Sequence, residues 1–218
     1  MNKFIKLKFM NHKFINMSQD GRSPLQEDET KPSRTLIIQT ARELFTVEGY
    51  ENVSMLKIAE KASCLPSNLY TLFPSKRILL HEVLELIYQD LKAYLEECYE
   101  KSHETERLES VCFAQIDFWL SQPGDWKIIF LSEDIYLNYR KEIVSKKSAL
   151  FKLEIYNRVI IEAQLNGIIR SGSSEEIKNI LLSTIMGTVL ILINHHEYNI
   201  KNLKEKTIRS LINGLKYN

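Results

Sequence analysis

Residues 54–76 read SMLKIAEKASCLPSNLYTLFPSK, and the fold follows from the way this stretch is punctuated. Ser54 is placed to N-cap a helix over 55–62 with Ile58, Ala59 and Ala62 turned inward, because a serine oxygen accepts one of the orphan N–H groups of a first turn. Ser63-Cys64-Leu65 breaks that helix. Pro66 suits the first position of a second short helix reaching about Phe73, since its missing N–H would have no partner there. On this helix Leu69 and Phe73 form an apolar pair one turn apart, and Ser67, Asn68 and Thr71 project from the other side. Pro74 and Ser75 interrupt again, and Ser75 caps a longer helix that opens with Lys76 and Arg77. Two short helices at a tight turn, the second presenting small polar side chains, have the shape that enters a major groove. Asn68 offers the amide needed for a bidentate contact to adenine. The Ser54 hydroxyl, and Lys76 and Arg77 at a helix N-terminus, suit phosphate.

Upstream, Ile37, Ala41, Leu44 and Phe45 stand at i, i+4, i+7 and i+8, one apolar stripe of a first helix. Gly49 ends that helix in the manner of a C′ glycine, and Tyr50 packs beneath the turn. Residues 18–33, rich in Ser, Asp, Gly, Pro, Gln and Glu, read as a solvated linker. Residues 1–16 interleave Lys3, Lys6, Lys8 and Lys13 with apolar side chains. Lys6 and Lys8 interrupt what a secretory signal would need as its apolar core. A basic arm against DNA or membrane is one reading of this stretch. The reading adopted is that 1–30 is a disordered or mis-annotated N-terminal extension, with Met17 as the natural start.

Downstream, the helix capped by Ser75 carries Ile78, Leu79, Val83, Leu84, Ile87, Leu91, Leu95 and Cys98, long enough to join two domains. Further helices are expected over 105–121, from Asp125, and over about 142–166, with Pro123-Gly124 ending the first of them. Aromatic residues gather here: Phe113, Phe118, Trp119, Trp126, Phe130, Tyr136, Tyr139, Phe151 and Tyr156. They are either ordinary core or the lining of a cavity for an apolar or flat aromatic ligand, with Phe113, Phe118, Trp119, Trp126, Phe130 and Tyr156 as the candidate pocket. Ser173 and Glu176 make a capping box for the next helix. From Ile177 to Ile193 that helix is apolar on nearly every side and needs cover all round, which a second copy of the chain can supply. With a last helix over about 200–215, the expected self-association surface is Ile185, Gly187, Leu190, Ile208, Leu211 and Leu215.

Composition sets the limits. A chain of 218 residues with 44% apolar and 26% charged residues is globular. No Pro follows Pro123, no alternating strand pattern emerges, and the expected fold is all-α with about nine helices. The net charge of +1 divides unevenly, with 12 Lys/Arg against 8 Asp/Glu in residues 1–80 and 17 against 20 afterwards. A basic front of this size is a mild attraction for phosphate. Cys64, Cys98 and Cys112 have no metal or redox spacing, which fits a reducing cytoplasm. The longest apolar run, Ile180–Ile193, is short for a membrane span, so no membrane partner is expected. His195 and His196 are adjacent and point apart on a helix, and no metal or cofactor is expected.

Arg34–Phe45 (RTLIIQTARELF), Glu48-Gly49-Tyr50, Ile58-Ala59 and Leu69–Lys76 (LYTLFPSK) together resemble the tetracycline-repressor (TetR) family over residues 31–84. The resemblance implies a three-helix helix-turn-helix domain over 31–77 and an effector-binding and dimerisation domain over 78–218. It implies that Tyr70 and Lys76 grip phosphates, that Ser54 caps and touches phosphate, and that Ser67, Asn68 and Thr71 read or position. Arg34 and Pro66 complete the DNA-contact set. Three features depart from the family: its usual Gly-Val-Ser turn is Ser63-Cys64-Leu65, its glycine is Ser67, and Leu72 stands where histidine or tyrosine is common. The recognition helix carries no Lys or Arg, so affinity is expected to lean on dimerisation and flanking cations.

No nucleophile–base pair, Gly-rich phosphate loop, paired carboxylates or zinc spacing appears, and an enzyme is not expected. The leading expectation is a cytoplasmic homodimer that binds double-stranded operator DNA as a repressor and responds to a small-molecule effector. The alternatives are a helical interaction protein that keeps the fold without specific DNA binding, and a small-molecule carrier.

Overall fold

The computed structural model describes residues 33–131, 153–194 and 202–216. The expected readings of 1–30, of Tyr136, Tyr139 and Phe151, and of His195 and His196 lie outside the described residues. Among the described residues there are nine α-helices and no strand: α1 Arg34–Glu48, α2 Met55–Lys61, α3 Pro66–Leu72, α4 Lys76–Lys101, α5 Arg107–Ser121, α6 Pro123–Leu131, α7 Glu154–Leu165, α8 Ser174–Asn194 and α9 Leu203–Gly214. A single 3-10 turn, Glu104–Glu106, leads into α5.

The punctuation works as the chemistry requires. Ser33, Ser54 and Ser75 each accept a backbone N–H through their side chains, from Leu36, Lys57 and Ile78. Ser173 does the same for Glu176 ahead of α8, at 3.3 Å. Gly49 ends α1 at φ +84°, a conformation that L side chains rarely adopt. Tyr50 follows it into the core with its ring edge-on to Phe45, centroids 5.2 Å apart. Helix α3 starts without a side-chain cap, because its N-cap residue is Leu65. The α2–α3 turn is completed by Ser63 at φ +55°, and the amide of Cys64 bonds the Ala59 carbonyl at 2.9 Å.

Helix α4 has 26 residues and is about 39 Å long. It buries Leu79, Leu80, Val83 and Leu84 toward its start and Ile87, Leu91 and Leu95 further on, so one continuous rod floors the helix-turn-helix and then enters the larger bundle. There the hub is α5, which packs against α4, α6, α7, α8 and α9. Its centre is Trp119, fully buried, with Phe118, Val111, Cys112 and Ile116 beside it.

Two expectations change in detail. The sequence reading ends a helix at Pro123-Gly124; in the structure the chain breaks at Gln122, and Pro123 is the first residue of α6. The cause is the same missing N–H, which costs nothing at a first helical position. Gly124 has a further duty, since a Cβ there would lie 2.7 Å from the Thr46 Cβ; α1 and α6 touch almost backbone to backbone. The second concerns α8, which at 21 residues is long and apolar enough to cross a bilayer, longer than its apolar run alone indicates. It packs against α5, α7 and α9 through the buried Leu181, Ile185 and Val189, and leaves Ile180, Leu190 and Ile191 exposed on its other side.

Candidate nucleic-acid interface

Helices α2 and α3 are held from beneath by Ile58, Ala59, Leu69 and Phe73, none more than 1% exposed. Burying Leu69 and Phe73 fixes the roll of α3, and the residues left facing out are Pro66, Ser67, Tyr70, Thr71 and Leu72, with Asn68 half-buried at the flank. The Thr71 hydroxyl is committed locally, donating to the Ser67 carbonyl at 2.8 Å, so its methyl is what it offers outward as an apolar group. Tyr70 is 46% exposed, its ring standing on the surface rather than in the core.

The cations around this face are engaged within the chain. Lys76 donates to the Tyr50 carbonyl at 2.9 Å and its ammonium lies 4.2 Å from the centre of the Tyr50 ring, which pins the start of α4 to the turn after α1. Arg34 pairs with Glu82 at 2.8 Å and stacks 5.0 Å over Phe73. Lys57 pairs with Glu48. Thus the candidate DNA residues Arg34, Ser54, Pro66, Ser67, Asn68, Tyr70 and Thr71 belong to the small α1–α3 unit, and Lys76 opens α4 beside it. Ser54 is occupied as a cap, and Arg34 and Lys76 hold intramolecular partners.

The aromatic candidates are also brought together. Trp119 stands edge-on to Phe118, Trp126 and Phe130 at 5.0, 5.7 and 5.8 Å, and Trp126 and Phe130 lie 4.2 Å apart. Tyr156 is fully buried on α7 and donates to the Gln115 side-chain oxygen at 2.5 Å. Burial pushes the Tyr156 hydroxyl well above its ordinary pKa, which keeps it a neutral donor. Phe113 sits apart at the α9 contact, with Lys204 5.3 Å above its ring. The rings fill one another's space as a core does. Four buried donors on α5 and α6, the Arg107 Nε, the Gln115 amide nitrogen and the indole N–H groups of Trp119 and Trp126, have no acceptor among the described residues. Buried donors are nearly always paired in folded proteins, so four on adjoining helices need an explanation.

The self-association candidates divide. Ile185 and Ile208 are fully buried and Leu215 nearly so, each spent on the subunit's own core, while Leu211 is half-buried. Leu190 is exposed, on a face of α8 that also carries the exposed Ile180 and Ile191. Among the described residues nothing lies within 4 Å of a Cβ built on Gly187.

One group went unnoticed in the sequence. Arg42 on α1 donates to Asp90 on α4 at 2.5 Å, to the Gln122 side chain at 2.8 Å, and to Asp125 on α6 at 3.1 and 2.6 Å. Burial alone would lower the Arg42 pKa, but the bonds and charges of Asp125 and Asp90 outweigh it and hold it above the ordinary arginine value. Beside this node a cavity of about 250 Å³ is lined by Arg42, Glu43, Thr46, Gln122, Gly124 and Asp125. It lies at the α1–α6 junction rather than among the aromatic rings. The node joins the reading unit to the bundle through a fixed, multidentate contact.

Comparison with known proteins bears on both parts. Residues 37–83 match the family model for bacterial regulatory proteins of the tetR family. The HTH-type transcriptional regulator UidR of Escherichia coli K12 is 34% identical over 58 residues, 27% of this chain and 30% of UidR. The match thus spans less than a third of that relative's length. The fatty acid metabolism regulator protein of Bacillus subtilis is 23% identical over 192 residues, covering 86% of this chain and 97% of that protein. A crystal structure of the TetR family transcriptional regulator PfmR from Thermus thermophilus superposes with a TM-score of 0.62 at 20% identity, over 83% of this chain and 99% of that one. At that identity the superposition speaks for the fold.

Proposed function

We propose that this chain, whose residues 37–83 match the family model for bacterial regulatory proteins of the tetR family, is a homodimeric, sequence-specific DNA-binding transcription regulator that releases its operator when a small molecule enters the C-terminal bundle. The observation that carries the DNA half is α3 itself: Leu69 and Phe73 are buried beneath a face on which Ser67, Tyr70 and Thr71 stand open. Two copies hold two such helices about one helical turn of DNA apart, ~34 Å, so that each enters a successive major groove. Tyr70 and Lys76 take phosphates on either side of the groove, Lys76 by exchanging the Tyr50 carbonyl for a phosphate oxygen. Binding to the chromosome places the protein in the cytoplasm. The copies meet through the exposed apolar face of α8, around Gly187 and Leu190, with α9 alongside.

The effector half rests on α6. Residues of this helix face two ways: Trp126 and Phe130 close the aromatic cluster, and Asp125 holds Arg42 of α1. A ligand that parts the rings displaces α6, and α6 carries Asp125 with it. The two reading helices then leave register and operator affinity falls. The ligand is apolar and bears a hydrogen-bond acceptor for the unpaired donors of Gln115, Trp119 and Trp126. A fatty-acyl compound meets both demands, and the Bacillus subtilis relative is named for fatty acid metabolism.

The test is a gel shift against the DNA upstream of the protein's own gene. Sharp binding that is lost on Tyr70→Ala or Lys76→Ala supports the regulator. Weak binding insensitive to both substitutions supports a second reading, a helical interaction protein, which the uncharged surface of α3 favours. For the effector half, an operator affinity identical with and without every compound that binds the bundle would contradict release.

A further inference from the structure

Between Lys61 and Lys76 the chain carries no charged residue, although a quarter of all residues are charged. This uncharged stretch includes the whole of α3, and its open surface sets leucines beside Ser67 and Asn68 where a solvated helix would carry charge. Leu65 is 67% exposed and Leu72 41%. A lone exposed leucine needs no explanation, but these two bracket a single short helix together with the exposed Tyr70 ring. Their spacing is ordered as well. Leu65, Asn68 and Leu72 follow i, i+3 and i+7, one flank of the helix, so an amide is set between two branched apolar side chains over about 10 Å. Three base-pair steps of B-DNA cover the same distance. Thr71 adds a methyl beside this row, its hydroxyl being tied to Ser67.

The major-groove edge of an A·T pair presents two features in this pattern. Adenine offers N7 and N6 for an amide, and thymine offers a methyl group that no other base of DNA carries. We propose that α3 reads A·T pairs, with Leu65 and Leu72 each set against the 5-methyl group of a thymine on either side of the base read by Asn68. This rests on the DNA-binding reading above and adds its specificity. It also accounts for the recognition helix having no Lys or Arg, the residues that select guanine. Leu65 takes up this role at a position where a polar residue would have capped the helix, and the cap is absent.

The experiment separates the methyl from everything else in the base pair. The full-length protein selects its site from random-centre duplexes, and affinities are then read by fluorescence anisotropy on the selected duplex with each thymine in turn replaced by deoxyuridine, which lacks only the methyl. The inference expects A·T-rich half-sites and two positions per half-site at which deoxyuridine weakens binding about fourfold, the effect of one buried methyl. In Leu72→Ala one of these penalties disappears, and in Leu72→Met it persists. If every deoxyuridine duplex binds like its parent, or Leu72→Ala keeps both penalties, the methyl reading is overturned while Tyr70→Ala still tests DNA binding on its own. If no duplex is selected above non-specific background, both readings fall and the leucine face is left to a protein partner.

Discussion

Asp125 receives two hydrogen bonds from the same guanidinium, Arg42 Nε at 3.1 Å and Nη2 at 2.6 Å, across 83 residues of chain. The geometry is the side-on fork that arginine makes with carboxylate and lysine cannot. Asp125 is almost wholly buried, so the pair stands where an unmatched charge is costly. Arg42→Met therefore strands Asp125 and lowers stability by roughly 3–5 kcal/mol. Replacing both partners with apolar residues recovers much of that loss. Urea unfolding followed by circular dichroism of the two single variants and the double variant measures the coupling; additive losses would show that the pair does not act as a unit.

Lys76 makes a different prediction because it has a choice of partner. In the free protein its ammonium rests on the Tyr50 carbonyl and ring. A lysine that neutralises one phosphate per subunit releases condensed counterions, so Lys76→Ala reduces the slope of log affinity against log salt by about one per half-site. Anisotropy titrations at several salt concentrations give the slope. An unchanged slope would assign Lys76 to holding Tyr50 and nothing more.

On α8 two neighbouring apolar residues are expected to respond in opposite ways. Ile185 is fully buried in its own subunit, whereas Leu190 is 42% exposed. Leu190→Lys gives a folded protein of monomer mass by light scattering, with its helix content intact. Ile185→Lys buries an unpaired ammonium and unfolds the chain or leaves it insoluble. A Leu190→Lys protein that stays dimeric places self-association on another surface.

Cys112 sets an alkaline limit. Burial pushes its thiol up to about 12 from an ordinary value of 9.0. Its folded-state pKa is raised, so the stabilising contribution is complete below pH ~9, where thiols are protonated in both states. As pH climbs from about 9 toward 12 only the unfolded chain ionises there, and stability drops by roughly 1.4 kcal/mol per pH unit. Cys112→Ala lacks this dependence, so urea midpoints compared at mildly and strongly alkaline pH should converge between variant and parent at the higher pH. In the native protein near neutrality Cys112 resists alkylation until the chain unfolds.

What the sequence disclosed, and what it withheld, follows from the range of each interaction. Ser54, Ser75, Ser173 and Gly49 act on backbone groups within a few residues, and each is found where its local chemistry puts it. The apolar pair Leu69 and Phe73 is likewise a one-turn relation, and its burial sets the outward face of α3. Arg42 could not be foreseen, because its carboxylates lie 48 and 83 positions away and one sequence carries no record of pairing. The choice between Ile185 and Leu190 was hidden for another reason. A helix apolar on all sides has no periodicity from which to pick the face that meets its own subunit. Pro123 was ambiguous in principle, since the same ring both terminates helices and begins them.

The route of α1 matters for anyone hoping to transplant this reading head. Its inner edge is notched into α6 at Gly124 and Thr46 and bolted there by Arg42, so a graft that stops at the start of α4 would carry a guanidinium with no carboxylates and a helix with nothing to lean on. A chimera carrying this head should fold only when Asp90, Gln122, Gly124 and Asp125 travel with it or the recipient offers the same side chains at those places, which makes the seam, rather than the outward face of α3, the feature that decides which exchanges survive.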